Sequence, residues 1–331
     1  MSEVIFLASS LVIILAGAEL FTNGVEWLGQ KFNLGQGPVG SILAAVGTAL
    51  PETLIPVIAI LSGSSTEEAG SEIGIGAILG APFMLSTLAL FVVGTAVLIF
   101  RRNNKPLHIN REVLMRDIRF FLILYTIAIL ASFLPTHNLK LVVIGILVSG
   151  YVYYVYVTFK TSEDADGEEL APCYFKRKSK SPSKLIIIFQ IVVALLIIVG
   201  GAKIFINSVE IIAIRIGIPV FILAILITPI ATELPEKFNS VIWVRKNKDT
   251  LALGNITGAM VFQSSLIPSL GIGLTSWVLE PLAMVSAILA ISSILVQYYI
   301  LSRWKNLYPA GLLMGGVFYV IFIAVVLGIY I

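Results

Sequence analysis

Two glutamates close apolar runs at matching points of a repeated pattern. Glu52 ends Gly47-Thr48-Ala49-Leu50-Pro51-Glu52, and Glu236 ends Ala231-Thr232-Glu233-Leu234-Pro235-Glu236, 184 residues later. Proline removes a backbone donor and clashes with the preceding turn, so each motif frees carbonyl oxygens. Thr48 and Thr232 stand four residues before the glutamates, about one helical turn away on the same face. Carboxylate, hydroxyl and freed carbonyls are the oxygen ligands that hard cations such as Ca²⁺ and Na⁺ take. A carboxylate inside an apolar span is expensive to bury. Two of them at equivalent repeat positions point to a cation site near a membrane midplane. The plainer reading, a proline kink with a protonated or hydrogen-bonded glutamate, fits one such motif better than two.

The repeat extends beyond the motif. Gly17-Ala18-x-x-Phe21-x-Asn23-x-Val25-Glu26 recurs as Gly201-Ala202-x-x-Phe205-x-Asn207-x-Val209-Glu210. More faintly, Gly76-x-Ile78-x-Gly80-Ala81 recurs as Gly254-x-Ile256-x-Gly258-Ala259. Glycines four apart line one helix face and allow another backbone to come close, which would let these helices pack against the Pro-Glu helices.

Composition identifies the surroundings of these elements. Of 331 residues, 58% are hydrophobic and 12% charged, and the mean hydropathy is +0.98. Soluble domains carry about 25% charged residues. With about 20 apolar residues needed per crossing, the chain reads as an all-α integral membrane protein of ten spans. They run roughly over 4–28, 37–61, 71–100, 118–135, 139–159, 185–208, 217–243, 250–275, 281–302 and 308–331. Spans three and eight are long and glycine-rich, which suggests tilting or a local break. The N-terminal apolar run reads as a first membrane helix rather than a cleaved signal peptide.

Alternate loops hold 18 of the 22 Lys and Arg residues, including Arg101, Arg116, Lys160, Lys184 and Arg245; the opposite loops hold Lys140 and Arg215. The crowded set is therefore expected in the cytoplasm, with both termini extracytoplasmic. Five spans per repeat is odd, so the second repeat enters from the other side. The expected domains are residues 1–159, a five-helix repeat; 160–184, a cytoplasmic linker; and 185–331, the inverted five-helix repeat. The acidic run Glu163-Asp164-x-Asp166-x-Glu168-Glu169 lacks the ordered ligands of an EF-hand and reads as solvated linker.

The Pro-Glu and glycine segments, with Leu251-Ala252-Leu253-Gly254-Asn255-Ile256-Thr257-Gly258-Ala259, resemble the two alpha-repeat signatures of the cation/calcium exchanger superfamily, whose members include the sodium/calcium exchangers. The resemblance covers the whole chain. It implies a prokaryotic cell-membrane antiporter that exchanges calcium for sodium, or in some branches for protons, by alternating access. It further implies Glu52 and Glu236 as the central calcium ligands, with Thr48 and Thr232 at cation-site positions.

The chain departs from that pattern in places. A family serine before Leu-Pro-Glu is replaced by Ala49 in the first half and Glu233 in the second. The helix-three motif is reduced to Gly76-Ala77-x-x-Gly80-Ala81-Pro82-x-x-Leu85, and Ala259, Met260 and Gln263 replace polar residues in the second copy. Several sodium-type ligands are thus missing. Glu233, one turn before Glu236, is expected to supply a carboxylate in place of neutral Gln263. Two carboxylates this close repel unless a cation or a proton holds them together. Its alternative is a structural pair with Lys203 or Lys237. Lys203 occupies the repeat position of Glu19, which suggests an intramembrane ion pair or a snorkelling lysine. Asn23/Glu26 and Asn207/Glu210 read either as lining of two access routes or as interhelical hydrogen bonds.

Other classes fit poorly. Cys173 is the lone cysteine, and His108 and His137 fall in loops on opposite faces, so the ligand and nucleophile clusters of membrane proteases are missing. No enzyme activity and no resident cofactor are expected. A passive cation channel is the remaining alternative, but deep paired carboxylates bind too tightly for fast conduction. The expected partners are inorganic cations (calcium, sodium or protons) and the lipid bilayer, not nucleic acid, with the monomer as the working unit.

Overall fold

Apolar runs bounded by charged or glycine- and proline-containing turns fold as helices. The computed structural model describes residues 2–31, 50–63, 66–101, 105–161, 171–177, 179 and 181–330. For 2, 50–51, 62–63, 161, 231, 234–238 and 330 it describes the backbone alone. The described helices are α1 (Ser2–Lys31), α2 (Leu50–Ile58), α3 (Glu67–Met84), α4 (Leu90–Arg101), α5 (Arg111–Leu130), α6 (His137–Thr161), α7 (Lys184–Ile216), α8 (Val220–Arg245), α9 (Asp249–Leu274), α10 (Pro281–Trp304) and α11 (Pro309–Tyr330). There is no strand among the described residues.

Among the described residues, seven helical stretches are long and apolar enough to cross a membrane: Glu3–Lys31, Glu67–Arg101, His137–Lys160, Lys184–Ile216, Asp249–Leu274, Pro281–Trp304 and Pro309–Ile329. Of the remaining expected spans, the fourth and seventh fall on α5 and α8, of 20 and 26 residues, and part of the second falls on α2. Residues 32–49 and most of the acidic connector lie outside the described residues.

The third span departs from regular α-helix as expected from its length and glycine content, and the departure follows a proline. Pro82 lies inside α3, and a π-helical turn over Leu85–Ala89 joins α3 to α4. A proline withholds one intrahelical donor, and the wider turn re-registers the ladder beyond it. Ser86 and Thr87 hydroxyls donate to the Phe83 carbonyl at 3.0 and 2.5 Å. The same device recurs in α2, where Pro56 precedes a π-helical turn over Ala59–Gly63. The eighth span shows no such break: α9 runs through Pro268 unbroken.

The centre of the molecule is α9, which packs against α3, α5, α6 and α8 and also meets α2. At one end of the bundle Arg101 holds Asp249 through both guanidinium nitrogens and donates to the Val244 carbonyl at 2.9 Å. That joins the end of α4 to the α8–α9 turn. At the other end Lys140 is buried, and its ammonium donates to the carbonyls of Ser276 and Trp277 at 2.5 and 3.4 Å. One of the two basic residues in the sparse loop set is therefore a structural clip.

The long helices α1 and α7 pack on one another, and their contacts are reciprocal. A methyl group on Gly17 would come within 2.8 Å of Ile198 Cγ1 and 3.0 Å of Ile197 Cγ2. One on Gly201 would come within 2.9 Å of Ile14 Cγ1 and 3.0 Å of Ile13 Cγ2. Glycines and isoleucines exchange roles across the interface, at positions 184 residues apart in the sequence repeat. Each glycine admits the backbone of the opposite helix, which drives close dispersion contact in lipid. Gly17→Ala and Gly201→Ala should each overpack this seam, with costs of about 1–3 kcal/mol. Thermal unfolding of the purified protein should show similar losses for both; a silent substitution at one glycine would break the equivalence.

Candidate cation site

The second Pro-Glu motif lies in α8, which carries Pro229 and Pro235 without interruption. Pro229 has no N–H to give the Ile225 carbonyl one turn back. The glycine face of α3 meets α8 at that point. A methyl on Gly80 would sit 2.5 Å from the Ile225 oxygen and 2.7 Å from Pro229 Cγ, and one on Gly76 would sit 2.9 Å from Ala224 Cβ. The close approach expected of these glycines is observed. Gly254 meets nothing within 4 Å among the described residues; Gly40 and Ser41, the repeat counterparts of Ala224 and Ile225, lie outside them.

Four of the six expected site side chains are described, and all are buried: Glu52, Thr232, Glu233 and Gln263. Glu233 Oε1 accepts a hydrogen bond from Gln263 Nε2, so α8 and α9 bring together the two residues whose exchange of roles the sequence suggests. The other amide atom, Gln263 Oε1, is buried without a hydrogen-bond partner among the described residues. The Thr232 hydroxyl donates to the Thr228 carbonyl at 3.1 Å, an arrangement that leaves its oxygen lone pairs available. Glu52 stands in the first turn of α2, a helix that meets both α8 and α9. Pro56 lies one turn beyond Glu52 and withholds the donor its carbonyl would otherwise receive. Thr48 lies outside the described residues. Glu236 is on α8, one turn past Glu233, with its side chain not described.

Two further residues bear on the site. Thr228 is buried, and its hydroxyl has no partner among the described residues. It precedes Thr232 by four, so Thr228, Thr232 and Glu236 share one stripe of α8. That spacing was readable in the sequence. Ser240 is the second residue: it donates to the Ala252 carbonyl at 2.9 Å and accepts from Asn255 Nδ2 at 3.3 Å. Its repeat counterpart is Pro56, so the halves differ here. Asn255, a polar position kept from the family motif, is occupied in joining α9 to α8.

The buried serines of α9 (Ser264, Ser265 and Ser269) return their protons to their own helix at Val261 and Ser265. Among the described residues no group of three or more His, Cys, Asp or Glu forms a metal cluster. The described arrangement instead offers carboxylate, amide and hydroxyl oxygens, which suit hard cations.

The peripheral polar pairs have other roles. Lys203 is exposed and makes no ion pair among the described residues. Glu19 accepts from the Tyr174 hydroxyl instead, so the two do not form the suggested intramembrane pair. Asn23 fastens the end of the connector: it donates to the Ala171 and Pro172 carbonyls at 3.4 Å and accepts from Gln190 Nε2 at 3.0 Å and Tyr174 N at 3.3 Å. Trp27 adds a bond to the Ala171 carbonyl at 2.9 Å. For Asn23 the hydrogen-bonding reading therefore holds.

Known proteins match both the sequence and the geometry. The model of the family described as sodium/calcium exchanger protein matches residues 2–160 and 186–331. The putative antiporter CaxA of Alkalimonas amylolytica is 22% identical over 81% of this chain and 79% of its own. The crystal structure of the H⁺/Ca²⁺ exchanger CAX superposes with a TM-score of 0.72 at 19% identity, over 97% of this chain and 81% of that one. The sodium-calcium exchanger NCX_Mj superposes with a TM-score of 0.59 at 19% identity, over 97% and 98%. The two matched stretches include every expected ligand, and the chain belongs to the sodium/calcium exchanger protein family.

Proposed function

We propose that this protein is a calcium antiporter in which Glu52 and Glu236, one from each repeat, hold the divalent ion, and in which protons are the coupling ion. The observation that carries the reading is the buried contact between Glu233 and Gln263 beside the second Pro-Glu motif. It adds a third carboxylate to a site that a divalent ion neutralises with two. When calcium leaves, three carboxylates repel one another within an apolar bundle, and proton uptake relieves the repulsion. The unpartnered Gln263 oxygen and the Thr228 and Thr232 hydroxyls supply neutral ligands to calcium. Ala81, Leu85, Ala259 and Met260 offer no side-chain oxygen for additional sodium ions. Sodium coupling is the second reading, favoured by the Thr-x-Leu-Pro-Glu pattern of both motifs.

The same reading takes the chain as two inverted five-helix repeats in a cell membrane, working as a monomer with both termini extracytoplasmic. The reciprocal Gly17/Gly201 packing supports the inversion, and the crowding of Lys and Arg in alternate loops supports the orientation.

Glu52→Gln and Glu236→Gln should each abolish calcium exchange in proteoliposomes while leaving membrane insertion intact, because a neutral amide is less costly in the bilayer than a carboxylate. Exchange at near wild-type rate in either variant would remove that residue from the site.

Coupling is tested by imposing pH and sodium gradients separately. Calcium uptake should follow an outward proton gradient without sodium, and uptake that needs sodium at fixed pH would select the second reading. Glu233→Gln should weaken calcium binding roughly tenfold, about 1.4 kcal/mol, and flatten the pH profile of transport. Adding Gln263→Asp should restore part of the affinity. An unchanged affinity and pH profile in Glu233→Gln would make the Glu233–Gln263 bond purely structural.

A further inference from the structure

On the face where basic residues crowd, a cavity of about 340 Å³ is lined by Arg111, Glu112, Met115, Arg116, Arg119 and Phe120 of α5. Its lining carries three guanidiniums and one carboxylate, and with Asp117 behind Arg116 the pocket remains net positive. Each arginine is anchored from a neighbouring helix. Arg111 Nε donates to the Leu301 carbonyl of α10 at 3.3 Å, and Arg119 lies 5.9 Å over the Tyr298 ring of the same helix. Arg116 lies 5.5 Å over the Tyr154 ring of α6 and pairs with Asp117 at 3.0 Å. A guanidinium carries five N–H donors, more than the anchors named for Arg111 and Arg119 use. Among the described residues neither Arg111 nor Arg119 makes an ion pair.

The position of the pocket selects its occupant. Arg111 and Arg119 are eight residues apart, about 12 Å along the helix axis, so the basic stripe runs from the helix start toward the membrane interior. The start of α5 adds its own positive end, capped by the Asn110 side chain, which accepts from Glu112 N at 3.1 Å. Below Arg119 the same face continues as Ile123 and Leu130, which are 59% and 56% exposed. Met115 and Phe120 add apolar lining to the pocket, and Phe120 adjoins the start of that apolar stripe. Basic pockets between membrane helices on this side of a bilayer take acidic headgroups, and a free phosphate would gain nothing from the apolar stripe.

We propose that this pocket binds an anionic phospholipid, with its phosphate among Arg111, Arg116 and Arg119 and an acyl chain along Ile123 and Leu130. The bound headgroup would reach the transport bundle through Arg116 and Asp117. Asp117, the ion-pair partner of Arg116, accepts from Thr257 of α9 at 2.7 Å and from Tyr154 of α6 at 3.2 Å.

The test is retention of dioleoylphosphatidylglycerol by the purified full chain, read by native mass spectrometry, with dioleoylphosphatidylcholine as the uncharged comparison. Wild type and a Lys246→Gln/Lys248→Gln control should retain phosphatidylglycerol equally. Arg111→Gln/Arg119→Gln should hold it roughly tenfold or more weakly, in line with loss of two basic contacts. The single Arg119→Gln, at an exposed position, serves if the double variant fails to fold. Equal loss in the control, equal retention of phosphatidylcholine, or displacement of the lipid by millimolar inorganic phosphate would each overturn the proposal.

Discussion

A carboxylate surrounded by helices that face lipid has no water to solvate it, so the protein itself must do so. Glu233 shows how this constraint organises the rest of the molecule. Its oxygen is met by the amide of Gln263, and that contact requires α8 and α9 to lie side by side at one fixed depth. Close approach in turn requires small residues where backbones meet. Gly76 and Gly80 let α3 press against α8 at the carbonyl that Pro229 leaves without its donor. Proline, glycine and glutamate therefore act as one arrangement: the first frees a carbonyl, the second admits a neighbour, and the third gives the space a charge.

The same logic separates polar residues that belong to the site from those that hold the scaffold. The α9 serines spend their protons on their own helix, and Asp117 is held by Arg116, Thr257 and Tyr154. Ser240 and Asn255 bond each other and so join α8 to α9. What distinguishes the candidate ligands is a buried oxygen with capacity left over, as at Thr228, Thr232 and Gln263. A divalent ion in this space would gain from that capacity, because hard cations are held by several such oxygens at once.

Much of this was legible in the sequence because it rests on local periodicity. The Pro-Glu duplication, the glycine faces and the break after Pro82 are all consequences of residue type at helical spacing. The proximity of Glu233 and Gln263 was anticipated through the resemblance, since the substitution of one position mirrors the other. What the sequence left hidden depends on contacts between distant segments. Nothing local in Asn23 says that it fastens the connector through Ala171, Pro172 and Gln190. Equally, opposite charges at Glu19 and Lys203 suggest a pair by repeat position, but Glu19 meets Tyr174 across a long stretch of chain. Lys140 looked like a stray loop charge, and its role as a clip on two carbonyls needs the turn after α9 to be placed first.

The reciprocal seam at Gly17 and Gly201 has an evolutionary consequence. Two identical half-length subunits meeting in this way would carry every substitution twice, so their shared site could hold only an even number of carboxylates. Joining the copies into one polypeptide releases that parity rule. Ala49 and Glu233 occupy matching places in the two halves, as do Pro56 and Ser240. The halves thus share a reciprocal seam while differing in the charge they carry beside their Pro-Glu motifs, a composition closed to a symmetric pair of separate chains.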